Sequence, residues 1–244
     1  MQRRAIQLCC LLLIAISAIA LAQADETFSL LAPAKLTGLQ KRAVRLSEYN
    51  IVLAEPGAVV PLLDPYDRPL GIMLSHDDFC AASLQGTVQV SSVRYMVAGK
   101  GPTSLADCSD DCPSCDAFAL GESRFIRVDH PDGLGSRTYG LVAYRTVAVR
   151  DGALPAGTVL YIPAARGLRL PNGRKHDGYF FVADIGALNS NQLDLYTGSR
   201  KLNWRIIGSG RSGKTMSAYI VTDRSIIQRL KAEHTAATKT LVAD

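Results

Sequence analysis

Two aspartates, Asp184 and Asp194, lie at the ends of two short apolar runs. Acids that adjacent strand ends deliver to one cleft have the geometry that acid/base chemistry on a sugar linkage requires. The alternative is that both carboxylates are simply solvated at the strand ends. The pattern therefore gives a hypothesis of glycan chemistry at Asp184 and Asp194.

The sequence around both aspartates is typical of short β-strands. Residues 179–183 are rich in aromatic and β-branched side chains, Asp184 ends the run and Gly186 supplies a turn. Residues 193–196 alternate and stop at Gly198. Alternation without helical period also occurs in three other segments: 86–97, 123–128 and 140–149. Many short strands with Gly and Pro turns predict a mainly β fold, a barrel or a sandwich.

Four segments in order resemble the three-aspartate (3D) domain family. That domain forms the C-terminus of membrane-bound lytic transglycosylase A and occurs in small secreted muralytic proteins. The segments that carry the resemblance are YRTVAV at 144–149, LPAGTVLYIP at 154–163, GYFFVADIG at 178–186 and LDLYTG at 193–198. The resemblance implies a six-stranded double-psi β-barrel with an N-terminal arm, a disulfide-stapled loop and a C-terminal helix.

The resemblance also implies an activity and its residues. Lytic transglycosylases cleave the MurNAc–GlcNAc linkage with a single acid/base carboxyl group and form 1,6-anhydroMurNAc. By motif, Asp194 is that acid, Asp184 lies beside it, and Asp151 is the third aspartate. We expect peptidoglycan glycan strands as the partner and no cofactor. Asp78 and Tyr196 are further candidates for substrate contact.

The chain departs from the family pattern at two places. Arg150 occupies the position of the first aspartate, so Asp151 takes that role only if the loop shifts by one residue. The turn between Asp184 and Asp194 is one residue shorter and has one glycine fewer than the family pattern. These departures favour the alternative of a non-catalytic, expansin-like module that binds peptidoglycan or another polysaccharide. A third alternative is a disulfide-stabilised envelope scaffold whose partner is a protein.

The first residues of the chain predict export. Residues 1–24 combine a basic start, an apolar core and small residues before Asp25, which is typical of a cleavable signal peptide. No other stretch is long and apolar enough to span a bilayer, so we expect a periplasmic or extracellular protein. The predicted division is a signal peptide at 1–24, an arm at 25–65 with a short helix at 36–46, a barrel domain at 66–222 with a cysteine-rich insertion at about 100–120, and a helix and tail at 223–244.

The charge of the chain argues against nucleic acid as a partner. The formal net charge is +5, and two of the positive charges, those of Arg3 and Arg4, lie in the predicted signal peptide. The remaining mild positive charge suits an anionic wall surface, and no arginine-rich stripe or aromatic platform is visible. The oligomeric state stays open.

Four cysteines follow the predicted signal peptide: Cys80, Cys108, Cys112 and Cys115. In an oxidising compartment an even set predicts two disulfides, with three connectivities open. A redox motif or a zinc site is less consistent, because neighbouring aspartates raise thiol pKa values and Cys80 has no close-spaced partner.

Residues 208–215 fit the phosphate-loop pattern G-x4-G-K-[ST]. That mechanism needs a following helix, whereas residues 216–221 have the composition of a strand. We therefore predict a hairpin loop and no nucleotide. Two helices are expected, at 77–84, where an acid caps the first turn, and at 223–234. The histidines show no spacing that suggests a metal, and His234 is expected to be solvated.

Overall fold

The structure is a computed structural model that describes residues 28–109, 119–129, 132–136, 139–199 and 215–238. The predicted signal peptide, Cys112, Cys115 and residues 208–214 of the phosphate-type pattern lie outside the described residues. No helix among the described residues is long and apolar enough to cross a membrane.

Strands dominate this part of the chain. In order, the elements are β1 (Lys41–Ala54), β2 (Val60–Leu63), β3 (Pro69–Leu74), α1 (His76–Gln85), β4 (Thr87–Val90), β5 (Val93–Lys100), β6 (Ser123–Val128), β7 (Thr146–Val149), β8 (Val159–Tyr161), β9 (Tyr179–Ile185), β10 (Gln192–Ser199), β11 (Met216–Ile220) and α2 (Arg224–Thr238). Short 3-10 turns lie at Leu120–Glu122 and Pro163–Ala165. The predicted mainly β composition and both predicted helices are confirmed.

Six strands pair into a closed ring in the order β10, β7, β9, β8, β11 and β1, with β1 returning to β10. The pairs β1–β10 and β7–β9 are parallel, and the other four are antiparallel. Alternate side chains of these strands fill the interior of the ring, including Val44, Val147, Phe180 and Leu195. The double-psi connectivity itself stays a prediction.

Strand β1 also builds a second sheet. Its last residues, Val52, Leu53 and Ala54, pair in parallel with β4, and β5 and β6 follow in antiparallel order. Helix α1 and the β2–β3 hairpin share the apolar core of this sheet, which contains Phe79 and Phe125. The chain therefore forms two packed lobes that are joined by one continuous strand.

The prediction of a short helix at 36–46 is wrong, and residues 41–54 of the predicted arm form the longest strand. Val44 and Leu46 are buried at a spacing of two residues, which is the period of a strand. Lys41, Arg42 and Arg45 obscure that alternation in the sequence. The arm and barrel boundaries remain a prediction.

Two other strand predictions are corrected in detail. The segment 86–97 forms a hairpin of β4 and β5, because the chain turns at Ser91, whose φ is 54°. Of the segment 140–149 only Thr146–Val149 is a strand. The preceding Tyr144 has a φ of 62°, a left-handed conformation that interrupts extended structure.

A disulfide joins Cys80 of α1 to Cys108, 28 residues later in the sequence. Cys80 is fully buried in the core beneath α1. The link therefore holds the loop after β5 against the helix. It is one of the pairings that the sequence left open.

A buried ion pair connects the ring to the segments around it. Arg145 Nη1 and Nη2 donate to the two carboxylate oxygens of Asp177 at 2.6 and 3.0 Å, and Nη1 also donates to the Tyr179 carbonyl at 2.7 Å. The guanidinium lies 4.3 Å from the Phe28 ring centroid and 3.4 Å from Glu233 of α2. Burial raises the pKa of Asp177, but the hydrogen bonds and charge of Arg145 hold it below its ordinary value.

Two buried histidines complete this interior. His176 contacts the Tyr144 carbonyl through Nε2, and its Nδ1 accepts a hydrogen bond from the Gly178 amide. The expectation that His234 is solvated is wrong, because it is fully buried and bonded to Thr146. Burial, with Arg145 nearby, lowers the pKa of both histidines to about 4, so both are neutral at ordinary pH.

We expect Arg145→Ala to destabilise the protein by about 3–5 kcal/mol, because it leaves the Asp177 carboxylate buried without its partner. Urea unfolding at neutral pH measures the loss. The control is Arg127→Ala, which breaks an exposed pair with Asp129 and should change stability little. Equal effects of the two substitutions would contradict the role assigned to the buried pair.

We expect Cys80→Ala/Cys108→Ala to cost about 3–4 kcal/mol, because the link closes a 28-residue loop and restricts the unfolded chain. Denaturant unfolding of the double variant and the parent protein measures the difference. Glycan recognition should survive under conditions where the variant stays folded. Unchanged stability would show that the link contributes nothing.

Candidate functional site

Ala148 of β7 lies between Asp184 and Asp194 on the outer face of the ring. It is the register partner of Asp184 on β9 and of Asp194 on β10. A bulge in β9 beside Val182 sets the register at Asp184. The strands of the two acids, β9 and β10, are therefore not paired with each other, because β7 lies between them. Of the β7 side chains, the methyl group of Ala148 lies between the two carboxyl groups.

These residues form the floor of a groove between the two lobes, with a cavity volume of about 350 Å³. One wall is the C-terminal end of α1 with β4 and β5, and the other is the ring with its turn after β9. The lining residues beyond the floor include Ser83, Leu84, Gln85, Met96, Val97, Lys100, Leu134, Ser136, Leu141 and Ala187. A mostly apolar cleft with a few polar groups suits the faces and hydroxyl groups of sugars.

Asp184 is held by donors from three directions. Tyr49 Oη donates to Oδ2 at 3.0 Å, and the amides of Ser136 and Ile185 donate to Oδ1 at 2.8 and 2.9 Å. The Ser136 hydroxyl also bonds Oδ1. These four hydrogen bonds fix the orientation of the Asp184 carboxyl and anchor the segment around Ser136 to it.

Asp194 has the opposite environment. Its Oδ1 is buried and has no hydrogen-bond partner. Burial raises the pKa of Asp194 to about 6; a hydrogen bond from Ser47 opposes the rise, and the charges of Asp184 and Glu48 add to it. Asp194 therefore keeps its proton up to about pH 6, well above the range of an ordinary aspartate, and a carboxyl with a raised pKa is what acid catalysis requires.

Two tyrosines support the floor. The rings of Tyr49 and Tyr196 lie 5.3 Å apart between centroids, and Tyr196 Oη donates to the Asp132 carbonyl at 3.0 Å. Burial and the neighbouring Asp184 hold the pKa of Tyr49 well above its usual value, so its hydroxyl keeps the proton that it donates to Asp184.

The remaining predicted site residues lie elsewhere. Asp151 is exposed in the turn after β7 and does not line the groove. Asp78 lies in the first turn of α1, where its amide donates to Ser75 Oγ at 3.1 Å and its Oδ2 accepts from that hydroxyl at 2.8 Å. This is the capping arrangement, at the end of α1 away from the groove. Tyr196 is 1% exposed, so it supports Tyr49 rather than facing a ligand.

The groove contains residues that the sequence pattern did not identify. Tyr49 comes from β1, which was expected to be an arm, and Ser136 comes from the loop before β7. Ser47 of β1 does not line the groove but is the register partner of Asp194. The alternation of Val44, Leu46, Tyr49 and Ile51 was a signal of a strand, but its pairing with β10 was not readable.

The described residues contain no cluster of three or more histidine, cysteine, aspartate or glutamate side chains that could hold a metal ion. The direct contacts of the Asp184 carboxyl are hydroxyl and amide groups.

The fold of this chain is similar to that of a lytic transglycosylase of known structure. Escherichia coli MltA with bound chitohexaose is 15% identical, with a TM-score of 0.50, and the match covers 73% of this chain and 71% of that one. A membrane-bound lytic murein transglycosylase from Agrobacterium tumefaciens is 15% identical, with a TM-score of 0.48, over 76% and 75% of the two chains. No protein-family model matches the chain, and no curated protein matches its sequence. At this identity the likeness concerns the fold alone.

We expect Asp194→Asn to stabilise the protein at neutral pH by about 3 kcal/mol. The pKa of Asp194 is raised to about 6, so the folded protein binds this proton more tightly than the unfolded chain does. Its stability therefore falls as the pH rises from about 4 through about 6 and is level above that. The asparagine variant lacks this loss, so the difference from the parent protein should vanish near pH 4.

Urea unfolding of both proteins across this pH range measures the effect. Asp151→Asn removes one charge from an exposed turn and is the charge control. A constant difference between parent and Asp194→Asn at all pH values would contradict a protonated Asp194.

Proposed function

We propose that this protein is an exported lytic transglycosylase that cleaves the MurNAc–GlcNAc linkage of peptidoglycan. The observation that carries the proposal is the placement of Asp194, whose pKa burial raises to about 6, in a groove beside the hydrogen-bonded carboxyl of Asp184. The shared fold adds support, since one of the solved structures, E. coli MltA, has chitohexaose bound. The groove's apolar walls suit a glycan strand.

In the proposed reaction Asp194 acts twice. It first transfers its proton to the glycosidic oxygen, and the bond from that oxygen to C1 of MurNAc breaks. The resulting carboxylate then takes the proton of the C6 hydroxyl of the same sugar, and O6 bonds to C1 to close the 1,6-anhydro ring. Asp194 ends in its starting protonation state, and no water is consumed.

Asp184 has a different role in this proposal. Four hydrogen bonds fix the position of its carboxyl, where a carboxylate favours positive charge developing at C1 in the transition state. The same charge favours retention of the proton on Asp194 before the reaction. The Tyr49 hydroxyl and the Ser136 segment hold Asp184 in place for both purposes.

The runner-up is a peptidoglycan-binding module that retains the groove without the chemistry. Arg150 at the first-aspartate position and the exposed Asp151 favour it, because the third acid of the family pattern does not line the groove. In this case the walls of the groove bind glycan while Asp194 stays protonated and inactive.

Location and partner follow from the same proposal. A Cys80–Cys108 disulfide suits an oxidising compartment, the periplasm or the exterior, where peptidoglycan is reached. We propose the ring as the double-psi barrel of the three-aspartate domain, with residues 1–24 as the export signal. Glycan strands are the expected partner, and no nucleotide or cofactor is needed for the reaction as written.

Digestion of purified peptidoglycan sacculi tests the activity. The mature protein should release 1,6-anhydro muropeptides, detected by mass spectrometry, and Asp194→Asn should lower their yield by at least about a hundredfold because the single acid/base is lost. Asp151→Asn is the matched substitution outside the groove, and loss of activity there would assign the third-aspartate role to Asp151.

The two functions give opposite results in this assay. Binding of the parent protein to sacculi without release of anhydro products would establish the binding module. Full activity of a folded Asp194→Asn protein would place the chemistry on another residue.

A further inference from the structure

Ser47 and Gln192 flank Asp194 on the outer face of the ring. Ser47 is the register partner of Asp194 across the parallel pair β1–β10, so the two side chains lie next to each other on the same face. Gln192 precedes Asp194 by two residues on β10, so both side chains lie on the same face of that strand. Gln192 Nε2 donates to Ser47 Oγ at 2.8 Å.

The hydrogen bond from Gln192 determines where the hydroxyl hydrogen of Ser47 points. A serine hydroxyl has one hydrogen and two acceptor positions. Because the Gln192 amide donates to the Ser47 oxygen, the Ser47 hydrogen is left for the carboxyl of Asp194. Asn189 Nδ2 contacts Gln192 Oε1 at 3.5 Å and so favours the amide orientation that points nitrogen at Ser47.

The other groups around Asp194 all favour its uncharged form. Asp184 on β9 and Glu48 on β1 bring negative charge, and Tyr49 on β1 directs its hydroxyl to Asp184 instead. The side chain of Ala148 on β7, the other register partner of Asp194, has no polar atom. Ser47 is thus the neighbouring side chain with a hydrogen available to the carboxylate of Asp194.

A carboxyl group that acts first as an acid and then as a base must be stable in both protonation states. We infer that Ser47, oriented by Gln192, positions the Asp194 carboxyl and stabilises its charged form between the two proton transfers. Ser47 is a positioning residue in this scheme, since it acts through Asp194. The catalytic purpose of the inference rests on the proposed function, whereas the interaction itself does not.

A carboxyl titration tests the interaction without turnover. The carbon-13 resonance of the Asp194 carboxyl, assigned by its loss in Asp194→Asn, is followed against pH in the parent protein and in each variant. Ser47→Ala should raise the midpoint by roughly one pH unit, because a hydrogen bond to the charged form is lost. Ser47→Thr restores a hydroxyl and should return the midpoint toward that of the parent, and Gln192→Leu should raise it by less than Ser47→Ala.

The matched control is Ser217→Ala. Ser217 is also half-buried on a ring strand that pairs with β1, where its register partner is Ala43, but it lies away from Asp194. Its substitution should leave the Asp194 midpoint unchanged. An unchanged midpoint in Ser47→Ala, or an equal shift in Ser47→Ala and Ser47→Thr, would overturn the inference.

The release of anhydro muropeptides separates this inference from the proposed function. If both hold, the high-pH limb of the activity profile moves upward in Ser47→Ala by the same amount as the titration midpoint. A shifted midpoint in a protein that releases no anhydro products supports the Ser47–Asp194 interaction and refutes the catalytic proposal. Anhydro products with an unchanged midpoint support catalysis and refute the role of Ser47.

Discussion

The architecture depends on a single strand that belongs to two sheets. The first part of β1 pairs with β10 and β11 in the ring, and its last residues pair with β4. Because a strand has a fixed rise and direction, this continuity sets how the second lobe stands against the ring. The groove lies where β1 passes from one sheet to the other, and Tyr49 at that point reaches Asp184.

The two acids of the floor illustrate how environment divides one residue type into two roles. Asp184 accepts hydrogen bonds from Tyr49, Ser136 and Ile185, whereas one carboxyl oxygen of Asp194 is buried without a hydrogen-bond partner. Ala148 brings the two onto one face and contributes little bulk between them. A larger side chain at Ala148 would stand between the two carboxyl groups on the floor of the groove.

Part of this picture follows from local sequence. The strands that carry both acids, the helix capped at Ser75 and the last helix were all readable, because apolar period and turn residues act over a few positions. The role of β1 was not readable, since its partners lie far along the chain and its charged residues mask the alternation. The same limit applies to Ser47 and Ser136, whose chemical meaning comes from residues brought near by the ring. Asp78 shows the converse, because its position is explained by its hydrogen bonds with Ser75, three residues earlier, in the cap of α1.

Side chains that meet at the groove lie far apart in the sequence, and this separation affects when the groove forms during folding. Ser47 and Gln192 are 145 residues apart, and Tyr49 and Asp184 are 135 residues apart. Hairpins such as β4–β5 form from neighbours, whereas closing such long loops is entropically costly and makes folding slow. A chain that emerges from its N-terminus presents β1 early, and its end can pair with β4, but its first part waits for β10 and β11 in the last third of the sequence. The wall built from α1, β4 and β5 can therefore form before the carboxyl pair, which assembles only when the ring closes.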